Sequence, residues 1–493
     1  MSRPRPSFRA TGRAGPAYPA NMETADPATL TLAGPGALRH AHALFLQRRD
    51  ADALPHARAA TAVLPQRADA WTLLGILQQR LGEPLAAESA YREAIRVMPD
   101  YADAWTNLGN LLRDRDDPQS TLRAFQQAMR CAPTSPEPAY NLGVALEHFG
   151  LWDGALVAFQ AAVECDPTHV DAHWNGALAL LRAGRFEEGF REYEWRFQRG
   201  EPGPRACAQP VWDGRPLAGR TILVWAEQGF GDALQFLRFV PEVARRGGRV
   251  VLEVMDGLQG LASRLPGVER VVVGGVEPTA FDTHVALMSL PHVLALAHPH
   301  VDAPYLRAHD TLARQWCDRL AASSPGADRE LAVGLVWAGN PALRNSRERS
   351  PGFEAVRGLL DVRGARFFSL QKGAGRDELA GRALPANFVD LDAEIANFDD
   401  TAAIIANLDV VVTCDTAVAH LAGALGKPVF AMLPSTSDWR YGLAPQASAW
   451  YPSMRLFRQD TRGDWTSVLA RATRALHEAV ASLPSQALAA AHA

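Results

Sequence analysis

The sequence predicts an α-helical solenoid followed by two doubly wound α/β sheets. Three observations carry this. A 34-residue beat runs through the first 200 residues, Val-rich runs alternate with helical stretches after it, and the segment Asp409–Leu433 reads as strand, turn, helix, turn, strand. Continuous apolar strands flanking a helix indicate a parallel sheet covered on both faces.

The beat is explicit in the residues. Gly75, Gly109 and Gly143 are evenly spaced, as are Leu74, Leu108 and Leu142, and Tyr91, Phe125, Phe159 and Tyr193 keep the same interval. Pro65, Pro99, Pro133 and Pro167 close each unit, and turns are expected near Gly82, Asp116, Gly150 and Gly184. Two short helices per unit, with a small residue where they cross, would stack into an array over residues 34–200, its first unit degenerate and its last, EEGFREYEWRF, a cap. Cys131 and Cys165 share one repeat position, which points to buried packing rather than metal binding. The concave face of such an array suits a protein or peptide segment; self-association is the other reading.

Totals bound the rest. The 493 residues suffice for about three domains, and 47% hydrophobic with 21% charged residues is ordinary globular composition. A net charge of -4 gives no reason to expect nucleic acid or an anionic membrane. Five cysteines without a C-x-x-C pair argue for a reducing compartment, taken as the cytoplasm. No apolar run reaches the length of a membrane span. Residues 1–33, rich in Pro, Ala, Gly and Arg, are expected to be a disordered leader, with Met22 a second candidate start.

After a Pro-rich linker at Glu201–Pro210, strand runs at TILVWA (from Thr221), RVVLEV (from Arg249) and RVVVGG (from Arg270) predict a sheet over 211–324. SSPGADR precedes a second alternation over 330–485, beginning at LAVGLVWAG (from Leu331), continuing through ARFFSLQKG and ending with the Asp409–Leu433 unit. Two such sheets make a cleft between the carboxyl ends of their strands.

Several residues are expected at that cleft. Gly229 and Gly231 form a tight strand-to-helix turn, and Asp232 is either a helix cap or a carboxylate able to accept a proton from an acceptor hydroxyl. No third glycine completes the dinucleotide fingerprint. Asp415, Thr416 and Ala417 stand where a strand becomes a helix, so unpaired amides and the helix dipole offer a phosphate seat. His420 lies one turn on, either a core histidine or a ligand contact. Asn340, Arg347 and Arg349 follow a strand end, with Arg344 and Arg347 expected to be solvated. Lys372 lies on the same edge and would join Arg349 in neutralising a diphosphate. Asp400 and Thr401 read first as a helix cap. Asp438, Trp439 and Arg440 occupy another cleft loop, where Trp439 either stacks on a base or sugar or closes the domain. No metal-binding pattern, G-x-S-x-G elbow or Walker loop is present.

GFGDALQFLRFVP, GLVWAGNP with ERS, FFSLQKG and DTAVAHLAGALGKPVFAMLPSTSDWRYG together resemble the heptosyltransferase-like family 9 glycosyltransferases, and the 34-residue units resemble tetratricopeptide repeats. The resemblance implies a GT-B fold, with the acceptor on the first Rossmann-like domain and the nucleotide-sugar on the second. It also implies inverting, metal-independent transfer without a cofactor, a nucleotide-diphosphate sugar being the donor substrate. Asp232 matches the family's catalytic aspartate and Lys372 its cleft lysine, while Asp415, Thr416, Ala417 and His420 match its nucleotide-binding helix start. Classical heptosyltransferases lack the repeats, so their donor and acceptor are not carried over. The architecture is also similar to that of protein O-GlcNAc transferases, which favours a protein acceptor. The alternative is a non-catalytic repeat scaffold with a degenerate GT-B portion; an epimerase on the same fold is a third.

Overall fold

A computed structural model describes residues 34–200, 203, 205–274, 280–296, 304–323, 329–342 and 346–483. The expected leader at 1–33, most of SSPGADR, and Arg344 lie outside them. The chain divides into two compact units, Met1–Ala179 and Leu180–Ala493.

The first unit is a run of antiparallel helix pairs: Gly34–Leu46 with Asp50–Val63, Ala68–Arg80 with Pro84–Val97, Ala102–Asp114 with Pro118–Cys131, and Pro136–His148 with Trp152–Cys165. The beat has a steric cause. A Cβ at Gly75 would lie 2.5 Å from the Tyr91 ring, one at Gly109 2.8 Å from Phe125, and one at Gly143 2.5 Å from Phe159, so only glycine lets each pair close on its aromatic residue. Tyr91, Phe125 and Phe159 are accordingly buried. Trp71 and Trp105 donate indole N–H bonds to the carbonyls of Pro65 and Pro99, fixing the start of their units. At the turns Gly82 and Gly150 have φ of 82° and 73°; Asp116 holds the same left-handed geometry at 58°. The paired cysteines correct one expectation. Cys165 is exposed and Cys131 half-buried, each thiol resting on the carbonyl of the preceding unit's proline, Pro133 and Pro99.

In the second unit the named strands all pair in parallel. Four strands, β1 (Thr221–Trp225), β2 (Arg249–Val254), β3 (Val268–Val273) and β4 (Thr283–Ala286), pair in the order β3-β2-β1-β4. Six more follow: β5 (Leu331–Val336), β6 (Ala365–Ser369), β7 (Phe388–Asp390), β8 (Val410–Cys414), β9 (Val429–Leu433) and β10 (Met454–Arg458). They pair in the order β10-β9-β8-β5-β6-β7. The second sheet therefore continues past Leu433, through β10 and the helix Thr466–Ala481. In each sheet the strand order reverses once, beside β1 in the first and between β5 and β8 in the second. Loops leaving adjacent strands diverge there and open a crevice at the carboxyl ends.

The last repeat helix belongs to this second unit, although the linker at 201–210 suggested a boundary near 200. Helix Val170–Arg182 spans the division, and Phe186–Tyr193 follows it. Phe186 and Phe190 lie edge-on to Trp450, with ring centroids 5.7 and 6.3 Å apart, and Phe190 also meets Trp439 at 6.0 Å. Arg196 is fully buried, donating to Glu194, to the buried Glu227 and to Ser289. Burial pushes the Glu227 carboxyl up to about 7 against the pull of Arg196.

Candidate functional site

Both helix starts predicted from the sequence lie at the crevices. After β1 the chain turns through Gly229, the N-cap of helix Phe230–Phe236. Asp232 is in its first turn, and its Oδ2 accepts the Gly229 N–H at 3.0 Å. The N-cap is therefore Gly229 and not Asp232, which stands three positions on and reaches back to the Gly229 amide, a bond that holds one carboxylate oxygen in place.

After β8, Thr416 is the N-cap of helix Ala417–Ala424. Its hydroxyl bonds that of Thr413 at 3.0 Å and does not cap the helix. The first amides of a helix have no acceptor within it, so the dipole at this end is not answered by the cap side chain. Gly231 brings the two starts together. A Cβ there would lie 3.1 Å from Cδ2 of His420 and 3.7 Å from Cα of Ala417. The two sheets thus meet helix start against helix start.

Arg349 crosses the crevice between β5 and β8, donating to the carbonyl and to the carboxylate of Asp415. Tyr441 donates to the other oxygen, Asp415 Oδ1, at 2.8 Å. Burial raises the Asp415 carboxyl despite Arg349. Gln371, buried past β6, shapes this side. Its Oε1 accepts the N–H of Trp337 at 3.0 Å and of Ala338 at 2.9 Å, and its Nε2 donates to the Ala338 carbonyl.

The remaining predicted residues depart from expectation. Lys372 does not join Arg349. Its ammonium donates to the carbonyls of Asp392 and Ile395 at 2.6 and 3.0 Å and pairs with the Asp392 carboxylate at 2.9 Å, all beyond β7. Trp439 is not a free stacking platform, since Phe190, Tyr193 and Trp450 enclose it. It closes the domain. Asp438 holds a neighbour: its Oδ1 accepts from the Arg440 amide at 3.0 Å and guanidinium at 2.8 Å. Burial opposes ionisation of Asp438, but Arg440 outweighs it and draws the carboxyl down to about 2. His420 is a buried histidine whose Nδ1 meets the Tyr451 hydroxyl at 3.1 Å. Burial, with Arg440 beside it, lowers its pKa to about 3, so the ring is neutral. Asn340 is an exposed turn residue whose Oδ1 accepts the Ala342 N–H at 3.0 Å. Arg347 is exposed, as expected.

Asp400 is structural, accepting from the Ala396 amide and the Trp316 indole, whereas the cap of that helix is Asn397, which accepts from the amides of Asp399 and Asp400. Sequence reasoning gave no role to Tyr441, Gln371 or Gln235. A polar residue at the end of an apolar strand, as in SLQKG, was the only available sign. Among the described residues no group of three or more His, Cys, Asp or Glu is placed to hold a metal ion, and no helix is long and apolar enough to cross a membrane.

Comparison with known proteins agrees with this architecture. The tetratricopeptide repeat model matches residues 72–136, 109–170 and 140–199, and the glycosyltransferase family 9 (heptosyltransferase) model matches residues 353–462. The chain therefore carries tetratricopeptide repeats and a C-terminal family 9 glycosyltransferase domain. That match includes Lys372, Asp415, Thr416, Ala417, His420, Asp438 and Trp439, but not Asp232 or Arg349. Protein FlbA of Caulobacter vibrioides is 31% identical over 336 residues, 62% of this chain and 54% of FlbA. The chain thus spans about half the length of the curated relative it matches. Among solved structures, YrrB, "a TPR protein with an unusual peptide-binding site", is 21% identical with a TM-score of 0.29, covering 34% of this chain and 87% of YrrB. Pseudomonas aeruginosa pilF is 19% identical with a TM-score of 0.33, covering 35% and 78%.

Proposed function

We propose that the chain is a glycosyltransferase that moves a sugar from a nucleotide-diphosphate donor to a hydroxyl, with inversion and without a metal. The observation that supports this most is the meeting of the Asp232 and Thr416 helix starts at the carboxyl ends of two parallel sheets. The donor diphosphate rests on the amides at Ala417 and Val418, with Arg349 beside it. Asp232 takes the proton of the acceptor hydroxyl as its oxygen bonds to the anomeric carbon. The bond from that carbon to the phosphate oxygen breaks, its electron pair leaving with the nucleotide diphosphate. Attack opposite the leaving group inverts the centre. Amide dipoles and a guanidinium fixed at the phosphates stabilise the charge that develops on departure more than the ground state.

The repeats present the acceptor, a protein or peptide segment held on their concave face. Lys372 now has no part in phosphate binding, because its ammonium is committed to the Asp392–Ile395 loop. The second reading, a scaffold with a degenerate transferase domain, is favoured by one specific observation: the carboxylates of Asp232 and Asp415 are both already engaged by arginines.

Incubation with UDP-, GDP- and ADP-sugars, followed by assay of released nucleotide, separates the two. Release from one donor is expected, and Asp232→Ala lowers transfer by about 10²–10⁴ with nucleotide affinity near normal. A panel with neither release nor thermal shift would favour the scaffold.

A further inference from the structure

We infer that Arg440 is the positioning residue for Asp232, so that the donor-side lobe orients the proton acceptor of the other lobe. This rests on the transferase reading for its purpose, though not for its geometry. Arg440 lies in the turn Trp439–Tyr441 of the second lobe. Each edge of its fork has a different acceptor. Nη2 donates to Asp232 Oδ1, Nε to Gln235 Oε1 at 2.9 Å and Nη1 to Asp438 Oδ1 at 2.8 Å. The flat face of the guanidinium covers the Trp439 ring at 4.4 Å. A planar cation fixed along three edges and one face cannot swing away without breaking all of these contacts.

The consequence falls on Asp232. One oxygen is held by Arg440 from the second lobe, the other by the Gly229 amide of its own lobe. Each carboxylate oxygen has a further lone pair, so two bonds fix the plane and still leave acceptor capacity. The side chain remains 23% accessible. A base oriented in advance of the reaction needs no reorganisation during it. Gln235 supports the same arrangement. It is fully buried, and its amide turns the oxygen to Arg440 although this leaves Nε2 without a partner among the described residues. Asp438 completes the chain, because its carboxylate sets the guanidinium that sets Asp232. Separation of the lobes would release Asp232 from this hold.

The test labels carboxylates of the full chain with carbodiimide and glycine ethyl ester, read by mass spectrometry. Arg440→Met should raise labelling of Asp232 by roughly tenfold relative to Asp409, an acid on the far side of the second sheet, since the charge-assisted bond is lost. Arg440→Lys keeps the charge without the fork and should give an intermediate rise; it also serves if the Met variant does not fold. With any donor the panel identifies, Arg440→Lys should lower kcat while leaving donor KM within about twofold. Asp232 labelling in both variants equal to wild type overturns the inference, as does a donor KM that rises with kcat unchanged. If the wild type turns over no donor while labelling behaves as stated, Arg440 still holds Asp232 and only the transferase reading fails.

Discussion

His420 offers a test in which the sign and size of the effect follow from its surroundings. The ring is buried between the two lobes, bonded to Tyr451 and stacked on Tyr441 at 6.2 Å, with the guanidinium groups of Arg440, Arg238 and Arg349 near enough to oppose a further positive charge and Asp438 opposing them. In the native protein its pKa falls from 6.5 to about 3. Below pH 6.5 the unfolded chain therefore binds a proton that the folded chain refuses. Stability from this group is present in full above 6.5 and is lost as pH falls towards 3. At about 1.36 kcal/mol per pH unit, the loss is about 2 kcal/mol by pH 5 and about 5 kcal/mol when complete. His420→Asn keeps a polar atom near the Tyr451 hydroxyl and removes the titration. Urea unfolding followed by tryptophan fluorescence at pH 7 and pH 5 gives the difference between variant and wild type at each. The variant is expected to be the less stable at pH 7, with the gap closing by about 2 kcal/mol at pH 5. An equal gap at both values would mean that the folded protein accepts the proton, and the interlobe burial of this ring would be wrong.

Other substitutions probe separate links. Lys372→Met should lower stability by about 1 kcal/mol through loss of its bonds to Asp392 and Ile395, with donor turnover retained; a tenfold fall in nucleotide affinity at unchanged stability would return Lys372 to the phosphate site. Gly143→Ala places a methyl 2.5 Å from the Phe159 ring and should cost about 1–3 kcal/mol, seen as a lower melting temperature of the helical unit. An unchanged melting curve would show that the helix pair is not closed on its aromatic residue.

What the sequence made legible followed from local rules. Gly75, Gly109 and Gly143 mark the repeats because each must admit a ring. The runs at Thr221, Arg249 and Leu331 read as strands because both sheet faces are covered. β4, β7 and β10 are not legible, since Thr283–Ala286 and Phe388–Asp390 are too short to show a period and Met454–Arg458, MRLFR, carries two arginines without regular alternation. Helix starts at Asp232 and Thr416 were visible because turn chemistry is local. The groups that hold them were not. Arg440 meets Asp232 from 208 positions away, and Arg349 meets Asp415 from 66, distances over which a single sequence carries no pairing signal. The place of Lys372 is hidden for the same reason: two of its acceptors are backbone carbonyls, which no residue type announces, and the third is the Asp392 carboxylate 20 positions away. Cys165 shares its register with Cys131, but periodicity reports helix phase and not what lies outside the helix.

The way the last helices are built in has a practical outcome for anyone wishing to divide this protein. A cut in the Pro-rich stretch near 200 would strip Phe186 and Phe190 from Trp439 and Trp450, leaving an indole pair facing water, and would take from Glu227 its arginine counterion. Such a fragment would be sticky and would carry a buried acid stripped of its counterion, next to the turn that presents Asp232. Fragments meant to keep the second unit intact should retain the whole of Val170–Arg182 and everything after it. The repeat pattern runs to residue 199, yet the compact second unit begins at Leu180.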